Sequence, residues 1–120
     1  MKKGSLLNIL WRTFFIHAAL NFRRMQNLGF AYAMISLLKH RKMADREAEE
    51  MLVRHLQRFN THPYLSAPLV GSILRMEEDR RDGEDAAPVV AVKQSLMGPY
   101  AAIGDSFFWG ALRPCAGIAA

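Results

Sequence analysis

Cysteine is all but missing from this sequence. Cys115 is the only one in 120 residues, which excludes an internal disulfide and a Cys-rich metal site and fits a cytoplasmic or membrane setting. Also missing is any run of about 20 uncharged apolar residues, so no ordinary spanning helix is expected here; membrane spans would lie beyond Ala120 or be broken ones. No segment alternates like a half-buried strand and no internal repeat recurs, which leaves a mainly α fold. Acids are fewer than bases, 11 against 16, and the net charge of +5 admits nucleic acid and an anionic membrane surface alike. The distribution is more selective. Lys2, Lys3, Arg12, Arg23, Arg24 and the cluster Lys39, His40, Arg41, Lys42 occupy the first third, whereas Glu77, Glu78, Asp79, Asp82, Glu84 and Asp85 form a later acidic stretch. Basic residues beside apolar helices fit a cytoplasmic membrane face at least as well as a nucleic-acid groove.

The start, MKKGSLLNILWRTFFIHAAL, imitates a signal peptide. Arg12 and His17 interrupt its apolar run, and Asn21-Phe22-Arg23-Arg24 is not a small-residue cleavage site, so no cleavage is expected. Polar residues Asn8, Arg12, His17 and Asn21 recur about every fourth position and predict a helix over 5–21 with a broad apolar face, too apolar for a free surface. A continuation over 22–38 has Gly29 as a weak point and stops at the basic cluster. Residues 44–59 carry the cleanest helical period. Ala44, Ala48, Met51, Leu52, His55, Leu56 and Phe59 share one face, Arg54 lies on the other, and Glu50 and Arg54 are spaced as a supporting pair. Pro63 and Pro68 break the pattern, and a helix-like run resumes over 69–78. Four parts follow: apolar or amphipathic helices over 1–42; a helix, the FNTHPY loop and a helix over 43–76; a charged linker over 77–88; and a GDSFFWG segment opening an apolar helix over 89–120. The ending RPCAGIAA reads as that helix cut short.

Two segments carry candidate chemistry. FNTHPY gathers an amide, a hydroxyl, an imidazole and a phenol around a proline. It reads either as a helix end and turn with His62 exposed, or as a polar cluster suited to a hydroxylated ligand, because amide and imidazole groups both donate and accept. Asp105 is the lone carboxylate in MGPYAAIGDSFFWGALRP. It reads either as the N-cap of a short helix, or as a functional carboxylate where Gly98, Pro99 and Gly104 shape a broken helix facing a ligand or cavity in the membrane. His17, His40, His55 and His62 are scattered, and His55 fits a packed core position better than a ligand. Without a phosphate loop, metal-ligand spacing or nucleophile set, no catalytic residue, metal or cofactor is expected.

The phrases RMQNLGFAYA, FNTHPY and GDSFFWGALRP, in that order, resemble the N-terminal part of the IID component of the mannose/fructose/sorbose family of the bacterial sugar phosphotransferase system, over about Leu10 to the end. The resemblance implies a helical membrane subunit of the cytoplasmic (inner) membrane, truncated before its later spans. It implies an oligomeric complex in which IID pairs with a IIC subunit to translocate a hexose. A soluble IIB protein phosphorylates the sugar from a histidine during uptake, and IIA recharges IIB. The resemblance implies too that the IID chain itself is not phosphorylated, which agrees with the missing nucleophile.

Carried over by position, Asn60 and His62 fall on a polar loop expected to border the sugar path, and Asp105 falls on the Gly-Asp-Ser turn. Asn21, Arg24, Gly98, Gly104, Arg113 and Pro114 are structural or partner-contact candidates, with Arg113 holding a helix end or pairing with Asp105. Where the family usually reads Trp-Asn-Tyr-Glu-Arg, this chain has Leu20-Asn21-Phe22-Arg23-Arg24, an aromatic and an acid replaced. Family members continue through further membrane helices, so the chain reads as a truncated product or a piece of a longer one. The alternatives are a remnant that no longer transports and at most binds IIC, and, more remotely, a small basic helical module for nucleic acid.

Overall fold

A computed structural model of the chain describes residues 3–81 and 83–120, the Ser5 side chain excepted; Lys2 and Asp82, counted above among the charges, lie outside the described residues. Among the described residues there are six helices: α1 (Lys3–Phe14), α2 (Asn27–Arg41), α3 (Asp45–His55), α4 (Ser66–Asp79), α5 (Ala87–Gly104) and α6 (Arg113–Ala119). A 3-10 turn at Pro63–Leu65 leads into α4, and a π-helical segment at Asp105–Leu112 joins α5 to α6. No strand forms among the described residues, only isolated bridges at Asn21–Met25 and Met25–Phe59. The fold is mainly α, as its sequence pattern requires.

Spacing explains the core. Phe30, Ala33, Met34 and Leu37 make the buried stripe of α2, and Leu69, Val70, Ile73 and Leu74 that of α4. Ile9, Ile16, Met51, Phe59 and Val89 close the cluster. The helices expected over 5–21 and 22–38 are shorter at their junction. α1 ends at Phe14, the chain turns through Phe15–Gln26, and α2 begins only at Asn27. Three local bonds explain the turn: Asn21 Oδ1 accepts from the Arg24 N–H at 2.8 Å, and Asn21 and Met25 exchange backbone bonds at 3.0 and 2.9 Å. Met25 adopts a left-handed φ of 56° to close it. Gly29 is no weak point. It lies where α2 crosses the backbone of Ile16, and a Cβ there would sit 2.5 Å from Ile16 Cα.

The helix expected over 44–59 stops at His55, because Asn27 Nδ2 donates to the Leu56 carbonyl at 2.7 Å and ends the ladder. Arg54 is not the outward partner of Glu50. Glu50 pairs with Arg46 at 3.0 Å, while Arg54 reaches Glu77 through two bonds of 2.8 and 3.1 Å. Nor does the charged linker begin at 77. Glu77 is fully buried inside α4, where it also meets His55 Nε2 at 2.8 Å and Arg80 Nε at 3.2 Å. Burial pushes the Glu77 carboxyl up, but hydrogen bonds from His55 and Arg54 overcome it and hold the carboxyl well below the usual carboxylate range. Burial likewise lowers His55, against the pull of Glu77, so the imidazole is neutral and donates its Nε2–H to the carboxylate. Above this network, buried Lys93 donates to the His55 carbonyl at 3.2 Å and lies 4.2 Å over the Phe30 ring; burial lowers its pKa to about 8.

From Ala87 to Ala119 the chain is one continuous helical rod. At 1.5 Å per residue it is about 50 Å long, which accounts for the 54 Å long axis of the molecule. It does not break at Gly98, Pro99 or Gly104. The helix widens instead, with the Arg113 N–H reaching Phe108 O five residues back. Beyond Gly104 only Phe108 is even partly buried, so the rod leaves the bundle as an arm. No helix among the described residues is long and apolar enough to cross a membrane.

Candidate functional site

The phrases that lie apart in sequence meet at one point. Gln26, buried in the turn before α2, holds the FNTHPY loop by its backbone. Its Nε2 donates to Thr61 O at 2.8 Å and its Oε1 accepts from Thr61 N–H at 3.2 Å. Gln26 N–H also donates to Phe59 O at 2.8 Å, and Phe59 N–H to Arg24 O at 3.3 Å. On the far side of Gln26 stands His17, ring nitrogen to amide at 2.9 Å. Partial burial of the ring and the nearby His62 push His17 below its ordinary pKa. Thus RMQN fixes the conformation of NTHP.

The loop in turn receives the arm. His62 is 1% exposed rather than open to solvent, and Gly104 packs directly on it: a Cβ at Gly104 would overlap His62 Cβ and Cγ. One π-helical turn further on, the Phe108 ring stacks on the imidazole, with centroids 4.9 Å apart and planes 14° from parallel. Tyr64 and Trp109 flank the imidazole at 5.4 Å each and stay largely exposed. The Tyr64 N–H donates to His62 Nδ1 at 3.3 Å, which puts the proton of the neutral ring on Nε2. That Nε2 has no partner, although it is buried. Asp105 Oδ1 stands 4.0 Å from it, too far for a hydrogen bond, on a side chain 62% exposed. An oxygen between the two would accept from the imidazole and donate to the carboxylate, but Nε2 is enclosed and none reaches it in this arrangement.

The other predicted residues divide. Asn60 is half-buried in the same loop, between Phe59 and Thr61. Asn21 bonds within the turn: besides accepting from Arg24 N–H, it donates through Nδ2 to Asn27 Oδ1 at 2.8 Å. Arg24 contributes its backbone carbonyl to the loop pairing, and its side chain is exposed. Gly98 is exposed with open space where a side chain would go, so nothing in the packing requires glycine there. Asp105 caps nothing and sits within the continuous helix. Among the described residues Arg113 forms no ion pair with Asp105; its guanidinium lies 5.3 Å over the Trp109 ring, and Pro114 is exposed beside it in the first turn of α6. Sequence reasoning missed Gln26 and Phe108. Both stood inside the quoted phrases, but only the fold assigns the amide to the Thr61 backbone and the ring to His62.

An all-helical bundle with a π-widened arm seated on a histidine loop is the architecture to be placed. The sequence profile described as PTS system mannose/fructose/sorbose family IID component matches residues 1–120, and the chain belongs to that family. It is 38% identical over 116 residues to the fructose permease IID component of Bacillus subtilis (strain 168), covering 95% of this chain and 42% of that protein. To the PTS system mannose-specific EIID component of Escherichia coli (strain K12) it is 35% identical over 117 residues, covering 95% and 41%. The fold matches a chain in the cryo-EM structure of the mannose transporter ManYZ with microcin E492 at a TM-score of 0.89 and 34% identity, covering 99% of this chain and 46% of that one. The chain therefore spans less than half the length of these relatives.

Proposed function

We infer that this chain is part of a membrane subunit of a mannose-family sugar phosphotransferase transporter in the bacterial inner membrane. It pairs with a IIC subunit to pass a hexose that IIB, recharged by IIA, phosphorylates during uptake. His62, Asp105 and Asn60 border the sugar path. What supports the site is one observation: a buried, unpartnered His62 Nε2 stands 4.0 Å from an exposed carboxylate, a donor and an acceptor that a sugar hydroxyl would bridge once the arm gives way. Exposed Tyr64 and Trp109 beside it offer rings for the apolar face of a pyranose. Family membership over residues 1–120 supports the rest.

The test is labelled-hexose uptake beside co-purification with IIC, in cells that express the chain with its IIC, IIB and IIA partners. Asp105→Ala and Asn60→Ala are expected to lower uptake about tenfold, the worth of one lost hydrogen bond to a bound polar group, with assembly unchanged. Loss of assembly in step with uptake assigns both residues to structure. Assembly without uptake in the unaltered chain selects the alternative of a non-transporting remnant.

A further inference from the structure

The outward side of α1 is built the wrong way round for a water-facing helix. Ile9 and Thr13 face the bundle and are buried, while Leu7, Leu10, Trp11 and Phe14 point away from it, 67%, 45%, 63% and 74% exposed. At 100° per residue these four form one stripe along the helix. The stripe continues beyond the helix into an open groove of about 400 Å³, where Trp11, Phe15, Leu28 and Tyr32 stand around the close crossing at Gly29. Arg12, at the edge of the stripe, is held by Asn8 Oδ1 at 2.8 Å and the Tyr32 carbonyl at 3.0 Å, with its guanidinium 4.3 Å over the Tyr32 ring.

Charge says what covers this face. Residues 1–44 contain eight Lys and Arg and not one Asp or Glu, whereas the remaining 76 contain eight bases and all eleven acids. An apolar stripe within a segment wholly without carboxylates complements a surface that is apolar below and anionic above. Length sets the orientation. The 12 residues of α1 extend about 18 Å, short of the roughly 30 Å hydrocarbon core, so the helix lies along the surface rather than through it.

We propose that α1 is an in-plane anchor, seating Leu7, Leu10, Trp11 and Phe14 in the interfacial layer of an anionic lipid leaflet while the exposed Arg23, Arg24, Lys39 and Lys42 meet its headgroups. This rests on the membrane placement proposed above and adds the depth, the orientation and the lipid class. It makes α1 the fixed edge of the bundle and leaves the arm beyond Gly104 free for another partner.

The two tryptophans allow a direct test, because Trp11 and Trp109 are the only ones. The full chain carrying Trp109→Phe reports on α1, and the full chain carrying Trp11→Phe reports on the arm. Each is mixed with vesicles of phosphatidylcholine alone, or of phosphatidylcholine with 30 mol% phosphatidylglycerol, containing acyl chains brominated at shallow or deep positions. The proposal expects Trp11 emission to shift to the blue and be quenched most by shallow bromines, consistent with a depth of about 5–10 Å. Partitioning should rise about tenfold or more with the anionic lipid and fall again at high salt. Phe14→Glu, at a position too exposed to disturb folding, should lower partitioning about tenfold, with unchanged circular dichroism as its control. Quenching of Trp109 but not Trp11 overturns the anchor and leaves the membrane placement standing. Quenching of neither overturns both. Equal partitioning to the two lipid mixtures overturns the anionic leaflet as the occupant, as does failure of Phe14→Glu to weaken binding.

Discussion

Two glycines six residues apart in α5 give opposite predictions for the same substitution. Both have helical surroundings, so Gly→Ala gains about 0.5–1 kcal/mol from helix propensity alone. At Gly98 nothing lies within 4 Å of the new methyl group, and the gain should appear undiminished. At Gly104 the methyl group overlaps His62 Cβ and Cγ. The histidine has nowhere to go: it is 1% exposed, Pro63 follows it, and Thr61 before it is clamped at both backbone groups by Gln26. Overpacking of this kind costs about 1–3 kcal/mol, which outweighs the propensity gain. The propensity gain is common to both, so the two variants should differ by the overpacking cost, about 1–3 kcal/mol, or roughly 4–12 °C in Tm at about 4 °C per kcal/mol for a domain of this size. Thermal unfolding followed by circular dichroism reads the difference. Trp109 emission in a Trp11→Phe background reports the other way out, in which the arm lifts from the loop and Trp109 leaves His62. A Gly104→Ala chain as stable as Gly98→Ala, with Trp109 emission unchanged, refutes the direct seating of the arm on His62.

Further expectations concern the polar core and the loop clamp. Glu77→Gln leaves Arg54 and Arg80 facing an amide in a buried site and should cost about 3–5 kcal/mol in denaturant unfolding, whereas Glu50→Gln on the exposed Arg46 pair should cost under about 1 kcal/mol. Lys93 gives an alkaline signature: with a folded pKa of about 8 against an ordinary 10.5, the unfolded chain holds more protons between those values, so stability should rise over that window, by about 3 kcal/mol in all. Lys93→Met should abolish the rise; a flat or falling profile from pH 8 to 10.5 in the unaltered chain contradicts the buried cation. Gln26→Ala removes both bonds to Thr61 and should cost about 2 kcal/mol, with altered His17 and His62 ring resonances in NMR; unchanged resonances would deny that Gln26 fixes the loop.

What was legible in the sequence was what periodicity encodes. A helix within 22–38, the existence of α3 and α4, and the absence of strands among the described residues all follow from the run of apolar and polar residues, whereas α2, buried on most of its circumference, shows no stripe in its sequence. Helix ends were not legible where a distant residue sets them: α3 stops at His55 because Asn27, 29 positions before Leu56, takes the Leu56 carbonyl. Charge pattern misled for the same reason. Glu77 opens an acidic stretch and reads as solvated, yet Arg54 and His55 of α3 reach it only once the chain has folded back. In the site, the phrases containing His62 and Asp105 stood out by composition, but glycine and proline suggested a broken helix where the helix continues in π form. The requirement for Gly104 lies in its contact with His62, 42 residues away, and no local pattern encodes it.

We propose above that this chain is part of a membrane subunit that pairs with IIC. The most direct measurement is carbonate-resistant membrane association of the 120-residue chain expressed with and without its cognate IIC. The account predicts that IIC moves the chain into the carbonate-resistant fraction, leaving the peripheral, salt-sensitive association of α1 when it is absent. A chain that carbonate extracts equally in both cases would contradict the account.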